Sequence, residues 1–417
     1  MTTPEKTITS IPDLIAATKD ETVRHIVIDG ALTGAPSLRL LPGQSLHGDE
    51  EGAGISFVDG SDGLQLSADN LVQNIHLHTA PDSRALFNDT SVSTLGQIRL
   101  EDITTIGRVQ ILARDSVRAG HIEIDGLDIA AADARGETER PHGFGVYVLQ
   151  GAFTLWNMQP DADVMLSANL VGLCAGRPGA PVRGSGIFVS GAGDTGGRLH
   201  VERLETGAVY SDGAIAPGTA DLISGGVFTV YGVYADRVQN HGPVVTTGVN
   251  DMVLDNWGAV DRWTAEEKIT SFGASGIGFV NFGSVNALIV NAPIETFGQG
   301  ARGFNVYAGR VHTAEFDRVV THGDGAVGIQ ISQPIGRLVV HRGIETFGGT
   351  GPSLVKGVVV ELSAIGLSVK PGGTAREIEV AGGIWTNGAG VAPVELLGAV
   401  ESFRVVGGLV AASPKSE

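Results

Sequence analysis

Residues 250–258, NDMVLDNWG, set two carboxyls, Asp251 and Asp255, four positions apart and follow them with Asn256 and Trp257. Cleaving a glycosidic bond takes two carboxyls, one to protonate the leaving oxygen and one to activate water or attack carbon. The surrounding segment, 207–268, is rich in what else such chemistry needs. It adds Asp221, and it holds three of the five tyrosines and two of the four tryptophans, among them Tyr234, Trp257 and Trp263. Aromatic rings can carry the apolar faces of sugars, and His241 and His322 are expected as supporting polar groups. The residues expected to act on the bond are therefore Asp251 and Asp255, or either with Asp221. Trp257, Trp263, Tyr234, His241, His322 and Asn256 are expected to hold the sugar. Asp and Asn are also common turn formers, so each carboxylate has a structural reading beside the chemical one.

Other motifs carry less. Three stretches, 191–196, 298–303 and 323–328, match G-x-G-x-x-G, but the last two run directly into β-strand patterns. A dinucleotide fingerprint needs a helix there to receive the pyrophosphate. No nucleotide or other cofactor is expected. His76 and His78 lie on one face of a strand without a third ligand at metal spacing, so no metal site is expected. Cys174 sits in an apolar stretch and reads as a small buried hydrophobe.

The elements that must position these residues are announced by a repeat. ITSFG, IETFG, VVTHG and IETFG begin at Ile269, Ile294, Val319 and Ile344, so their final glycines recur every 25 residues. A short period built from alternating strands predicts a solenoid of stacked β-coils. The second strand of each coil is read as GIGFV, GFNVY, GIQIS and GVVVE, beginning at Gly276, Gly303, Gly328 and Gly357. The third is read as ALIVN, TAEFD and RLVVH. ITTIG at Ile103, VQNHG at Val238 and IWTNG at Ile384 extend the pattern, with irregular stretches at about 130–185 and 207–268. Within the pentapeptide the first and third residues should face inward and the fourth outward. That predicts an inward column of Thr105, Thr296, Thr321, Thr346 and Thr386, bonded to one another as a ladder. It also predicts an outward column of His241, Phe272, Phe297, His322, Phe347 and Asn387. Outward phenylalanines could stack sugars, pack under a loop or make a subunit interface. Ser10 is a candidate N-cap for a short helix carrying Ile11, Leu14 and Ile15, a cap over the first coil within about residues 1–24.

Composition narrows the partners. The formal charge is −18 with only six lysines, which repels nucleic acid and polyuronates and favours a neutral oligosaccharide. A single cysteine excludes an internal disulfide and suits a reducing compartment. Neither a signal peptide nor a membrane-length apolar run is visible, so the expected location is cytoplasmic, with no membrane partner.

The N-terminal strand–turn–strand units HIVIDG, LRLLPGQSLHG and NLVQNIHLHT, with the beat that follows, resemble the pectin-lyase-like right-handed parallel β-helix superfamily. The resemblance implies an all-β, single-stranded right-handed parallel β-helix over residues 1–417, with three parallel sheets. Its members include polysaccharide lyases, glycoside hydrolases, fructotransferases, epimerases and phage tailspikes, so fold does not choose among functions. The outward Phe272, Phe297 and Phe347 lead to the expectation of a homo-oligomer, and the resemblance implies that it is a trimer. The leading expectation is an enzyme that cleaves or rearranges a glycosidic bond. A lyase or epimerase acting on a uronate, and a non-catalytic binding or structural solenoid, remain as alternatives.

Overall fold

The computed structural model describes residues 5–49, 52–141, 145–355 and 357–412. The first four residues of the expected cap lie outside them. The described chain is nearly all strand, laid coil upon coil in long parallel ladders, the arrangement of a β-solenoid. Three ladders run along it. The pentapeptide ladder passes from Val244–Thr246 through Ile269–Ser271, Ile294–Thr296, Val319–Thr321 and Ile344–Thr346 to Ile384–Thr386. A middle ladder includes Leu222–Thr229, Asp251–Asn256, Ile277–Asn281, Arg302–Val306 and Val327–Ile331. A return ladder includes Val233–Asn240, Ala259–Ala265, Ser284–Val290 and Arg310–Phe316. The return and pentapeptide ladders merge into one sheet because long strands such as Arg198–Asp212 pair with members of both.

Small and apolar residues fill the space between the ladders. Ile269, Ile294, Val319 and Ile344 stack inside the solenoid, where they meet Phe279, Phe304 and Ile329 of the middle ladder. The pentapeptide glycines stack at one corner. A Cβ on Gly298 would lie 1.8 Å from the carbonyl oxygen of Gly273, and one on Gly323 would lie 2.1 Å from that of Gly298. Close approach of backbones, rather than an unusual φ, therefore excludes a side chain here. At the N-terminus the helix Ile11–Ala17 buries Leu14 and Ala17 over the first coil, and the Ser10 hydroxyl accepts from the Asp13 N–H at 3.3 Å. Buried Gln44 ties the helix end down by donating to the carbonyls of Ala17 and Val23.

Four details of the sequence reading change. VQNHG belongs to the return ladder, where Val238 pairs with Trp263. The true pentapeptide of that coil is VVTTG, whose Val244 pairs with Ile269, so Thr247 and not His241 begins the outward column. Thr105 pairs with Ile129, which aligns through Ala175, Val209 and Val244 with Ile269, a first position and not a third. GVVVE is not a coil strand. It is half of an antiparallel hairpin, Thr350–Val355 with Val358–Ser363, which stretches the interval from Ile344 to Ile384 to 40 residues. The middle strand of that coil is Leu367–Val369. Segment 207–268 is mostly regular strand, and its main irregular piece is 213–221.

The threonine column does not form a ladder of side chains. Thr321 and Thr386 donate across their own turns to the carbonyls of Ala326 and Val391, both at 2.8 Å, and fasten the corner. The outward column is as expected from Phe272 onward. Phe272, Phe297 and Phe347 are 50%, 37% and 44% exposed. Their rings and that of His322 stack nearly parallel, with centroids 5.0, 4.4 and 4.9 Å apart along the column. Ring faces between neighbours are thereby covered, and edges are what the column presents to solvent.

Candidate active site

The outer face of the middle ladder carries a cavity of about 450 Å³, within the size range of small-ligand pockets. Met252, Ile277 and Arg302 stand in register as one file of its lining and Asp255 and Val280 as a second, which continues along the ladder to Asn305 and Gln330. At the next corner Trp257, Phe282 and Tyr307 recur at the 25-residue period. Trp257 and Phe282 have centroids 5.6 Å apart, and Phe282 and Tyr307 stack at 5.3 Å with planes 8° apart. The cavity is roofed by Ala220 and Asp221 of one loop with Ile223 of the strand that follows, by Gly145 and Val146, and by Leu354 and Gly357 of the hairpin.

Asp255 is fully buried, and among the described residues neither carboxyl oxygen has a hydrogen-bond partner beyond the indole of Trp257. Burial pushes its pKa well above the usual carboxylate range, and the Trp257 hydrogen bond only partly opposes this. Burial thus favours the protonated form of this group. Asp221 is solvent-exposed on the loop above. The structure thus brings Asp255, Asp221 and Trp257 to one cavity.

The other expected residues go elsewhere. Asp251 and Asp255 share one extended strand, so their Cα atoms lie ~13 Å apart at ~3.3 Å per residue. That exceeds both carboxyl spacings used by glycosidases. Asp251 instead fastens a corner. Its oxygens accept from the Gly248 N–H at 2.8 Å, the Gly213 N–H at 3.1 Å and the Ser224 hydroxyl. Trp263 is inside the core, edge-on to Phe279, and donates to Asn240 Oδ1 at 2.9 Å. Asn256 is an interior corner brace that donates to Asn281 Oδ1 at 2.9 Å. His241 lies on the outer return ladder between Glu205 and Glu266, and His322 sits in the outward column beside Glu295. Tyr234, half-exposed against the His200 ring, lines a neighbouring open groove of about 1110 Å³ that also touches Trp257.

Arg302, Phe282 and Tyr307 escaped the sequence reading. The signal for the two aromatics was present as NWG, NFG and VYAG at the common period; Arg302 had none. Among the described residues no cluster of His, Cys, Asp and Glu is placed to hold a metal ion, and no helix is long and apolar enough to cross a membrane. Compared with known proteins, the chain matches no family model, no curated protein and no solved structure.

Asp251 makes a separate, testable point. Burial raises its pKa to about 6 against the three hydrogen bonds it accepts. An unfolded aspartate titrates near ~4. Between those values the folded state binds more protons, so stability falls as pH rises through that window. Asp251→Asn can accept from the glycine N–H groups and donate to Ser224, and should remove this loss, ~3 kcal/mol over two pH units. Urea denaturation at pH 4.5 and pH 7 reads the part of it that falls above pH 4.5, ~2 kcal/mol. Identical pH dependence in both proteins would contradict the assignment.

Proposed function

We propose that the chain is a closed, right-handed parallel β-helix of the pectin-lyase-like kind that acts on a glycosidic bond in an oligosaccharide, at the cavity beneath the hairpin. The supporting observation is Asp255, a fully buried carboxyl at the wall of an aromatic cavity, whose burial favours the protonated form. Glycoside chemistry divides its labour between a carboxyl that holds a proton and one that does not. Asp255 is the acid in this reading. Asp221, exposed on the covering loop, is the base or nucleophile. Trp257, Phe282 and Tyr307 supply the apolar wall for a sugar ring. The −18 charge favours a substrate that is uncharged over most of its length.

Asp255→Asn and Asp221→Asn test this against a panel of α- and β-linked oligosaccharides. Each should lower turnover by roughly 10²–10⁴-fold, the usual worth of a positioned acid or base. Asp255→Asn replaces one neutral group by another of the same shape, so its melting temperature should stay close to that of the parent. Unchanged turnover in both variants removes the catalytic assignment. Sugar binding without turnover in the parent favours the second reading, a non-catalytic binding or structural solenoid. The exposed Phe272–Phe347 column supports that reading, since leaving such rings in water costs ~1.5–3 kcal/mol each if fully exposed. A homo-oligomer, with a trimer the simplest case, would cover them.

A further inference from the structure

The cavity contains a buried cation that the proposed chemistry does not use. Arg302 is 1% exposed, yet its hydrogen bonds run only to neutral acceptors. The Gly300 carbonyl and the Ser353 hydroxyl lie at 3.1 and 3.0 Å, while the Leu354 carbonyl and Gln330 Oε1 stand at a marginal 3.5 Å. No carboxylate of the described residues forms an ion pair with it. By contrast, the more exposed Arg318 and Arg337 pair with Glu345 and Glu377. Tyr307, with its ring centroid 6.0 Å from the guanidinium, is at the outer limit of a cation–π contact. A buried guanidinium without a counter-charge is costly, and such groups are ordinarily paired. Asp255, the buried carboxyl of the same cavity, does not fill that role, since only burial and the Trp257 hydrogen bond act on it and no contribution from Arg302 does. On the Arg302 strand, Asn305 is also fully buried with both amide atoms unpartnered, a second polar group that its surroundings leave unsatisfied.

We propose that the cavity binds a ligand through an oxyanion, a carboxylate or a sulfate or phosphate ester, seated on Arg302. The planar fork of the guanidinium suits such a group, and the aromatic wall of Trp257, Phe282 and Tyr307 takes the apolar part of the same molecule. The inference rests on reading the cavity as the ligand site, and it makes the substrate of that site an oligosaccharide carrying one acidic group where it meets Arg302. The whole-surface charge argues against a polyanion but not against a single anionic group.

The full chain is titrated with glucuronate, glucose 6-phosphate, glucose and sodium sulfate, with sodium chloride at matched ionic strength, and followed by calorimetry and melting temperature. At least one oxyanion should bind ~10-fold or more tightly than glucose, the scale of a charge-assisted hydrogen bond. The preference for glucuronate or for the phosphate and sulfate identifies the source of the anion. Arg302→Gln should abolish the difference. Because that variant could loosen the hairpin, Arg302→Lys is measured beside it; it keeps the charge and should retain part of the preference. No preference in the parent, or an undiminished one in Arg302→Gln, overturns the proposal. If sulfate binds through Arg302 while no sugar does, the oxyanion site stands and the carbohydrate reading falls. If glucose binds as tightly as every oxyanion tested, the reverse holds.

Discussion

Gly298→Ala should leave little folded protein. The Cβ would stand 1.8 Å from the Gly273 carbonyl oxygen, 2.3 Å from its carbon and 2.7 Å from the Ala274 nitrogen. All three are backbone atoms of the turn that joins two ladder strands of the preceding coil, so no side chain can swing aside. The coil spacing would have to open at that corner, breaking the hydrogen bonds that join Ile269–Ser271 to Ile294–Thr296. We expect a loss above ~5 kcal/mol, in the exceptional range for a single substitution. Gly136→Ala is the control, because a Cβ there meets nothing within 4 Å and its φ is not in the left-handed region. It should be neutral or slightly stabilising, by up to ~1 kcal/mol, through the unfolded chain. Soluble expression and urea denaturation of both variants read the contrast. A Gly298→Ala protein as stable as Gly136→Ala would mean that the corner is not close-packed.

Trp263→Ala should destabilise the solenoid by ~5 kcal/mol. Truncating a buried tryptophan ordinarily costs ~3–5 kcal/mol in lost burial and residual cavity. Here the indole also donates to Asn240 Oδ1, and its loss strands a buried acceptor, for a further ~1–3 kcal/mol. Trp263→Phe keeps most of the packing against Phe279 and loses the N–H, so it should recover more than half of the deficit. The pair of variants separates a core residue from a sugar platform. A platform would lose binding and keep its stability; Trp263 should do the opposite. Near-parental denaturation midpoints for Trp263→Ala would show that the ring is not the core element described above.

The repeat was legible because a solenoid writes its nearest-neighbour contacts into the chain at constant spacing. Every coil sees the same surroundings above and below, so Ile269, Ile294, Val319 and Ile344 answer one local demand, as do Gly273, Gly298, Gly323 and Gly348. The helix cap was legible for a similar reason, since Ser10 and Asp13 act within one turn. Register was harder. Branched-apolar, polar and glycine residues end both the return strands and the pentapeptide strands, which is why VQNHG and ITTIG were placed on the wrong corner. GVVVE was misread because an alternating apolar run suits a hairpin as well as a coil.

The cavity could not be read from the sequence in the same way. The 25-residue period alone established stacked parallel coils, their glycine corner and the outward aromatic column. It could not say which carboxyl is buried, because burial depends on what lies above a residue and not on its neighbours along the strand. Asp251 and Asp255 occupy one strand and looked equivalent in the sequence. The first takes three hydrogen bonds, one from its own corner turn at Gly248 and two from Gly213 and Ser224 of the preceding coil. Segments about 110 residues upstream and 100 downstream, at Gly145 and Gly357, roof the cavity that the second one lines. The same hairpin supplies Ser353 and Leu354 to Arg302 and removes its charge from water. Solvation is a property of three-dimensional surroundings, and only the tertiary structure decided it.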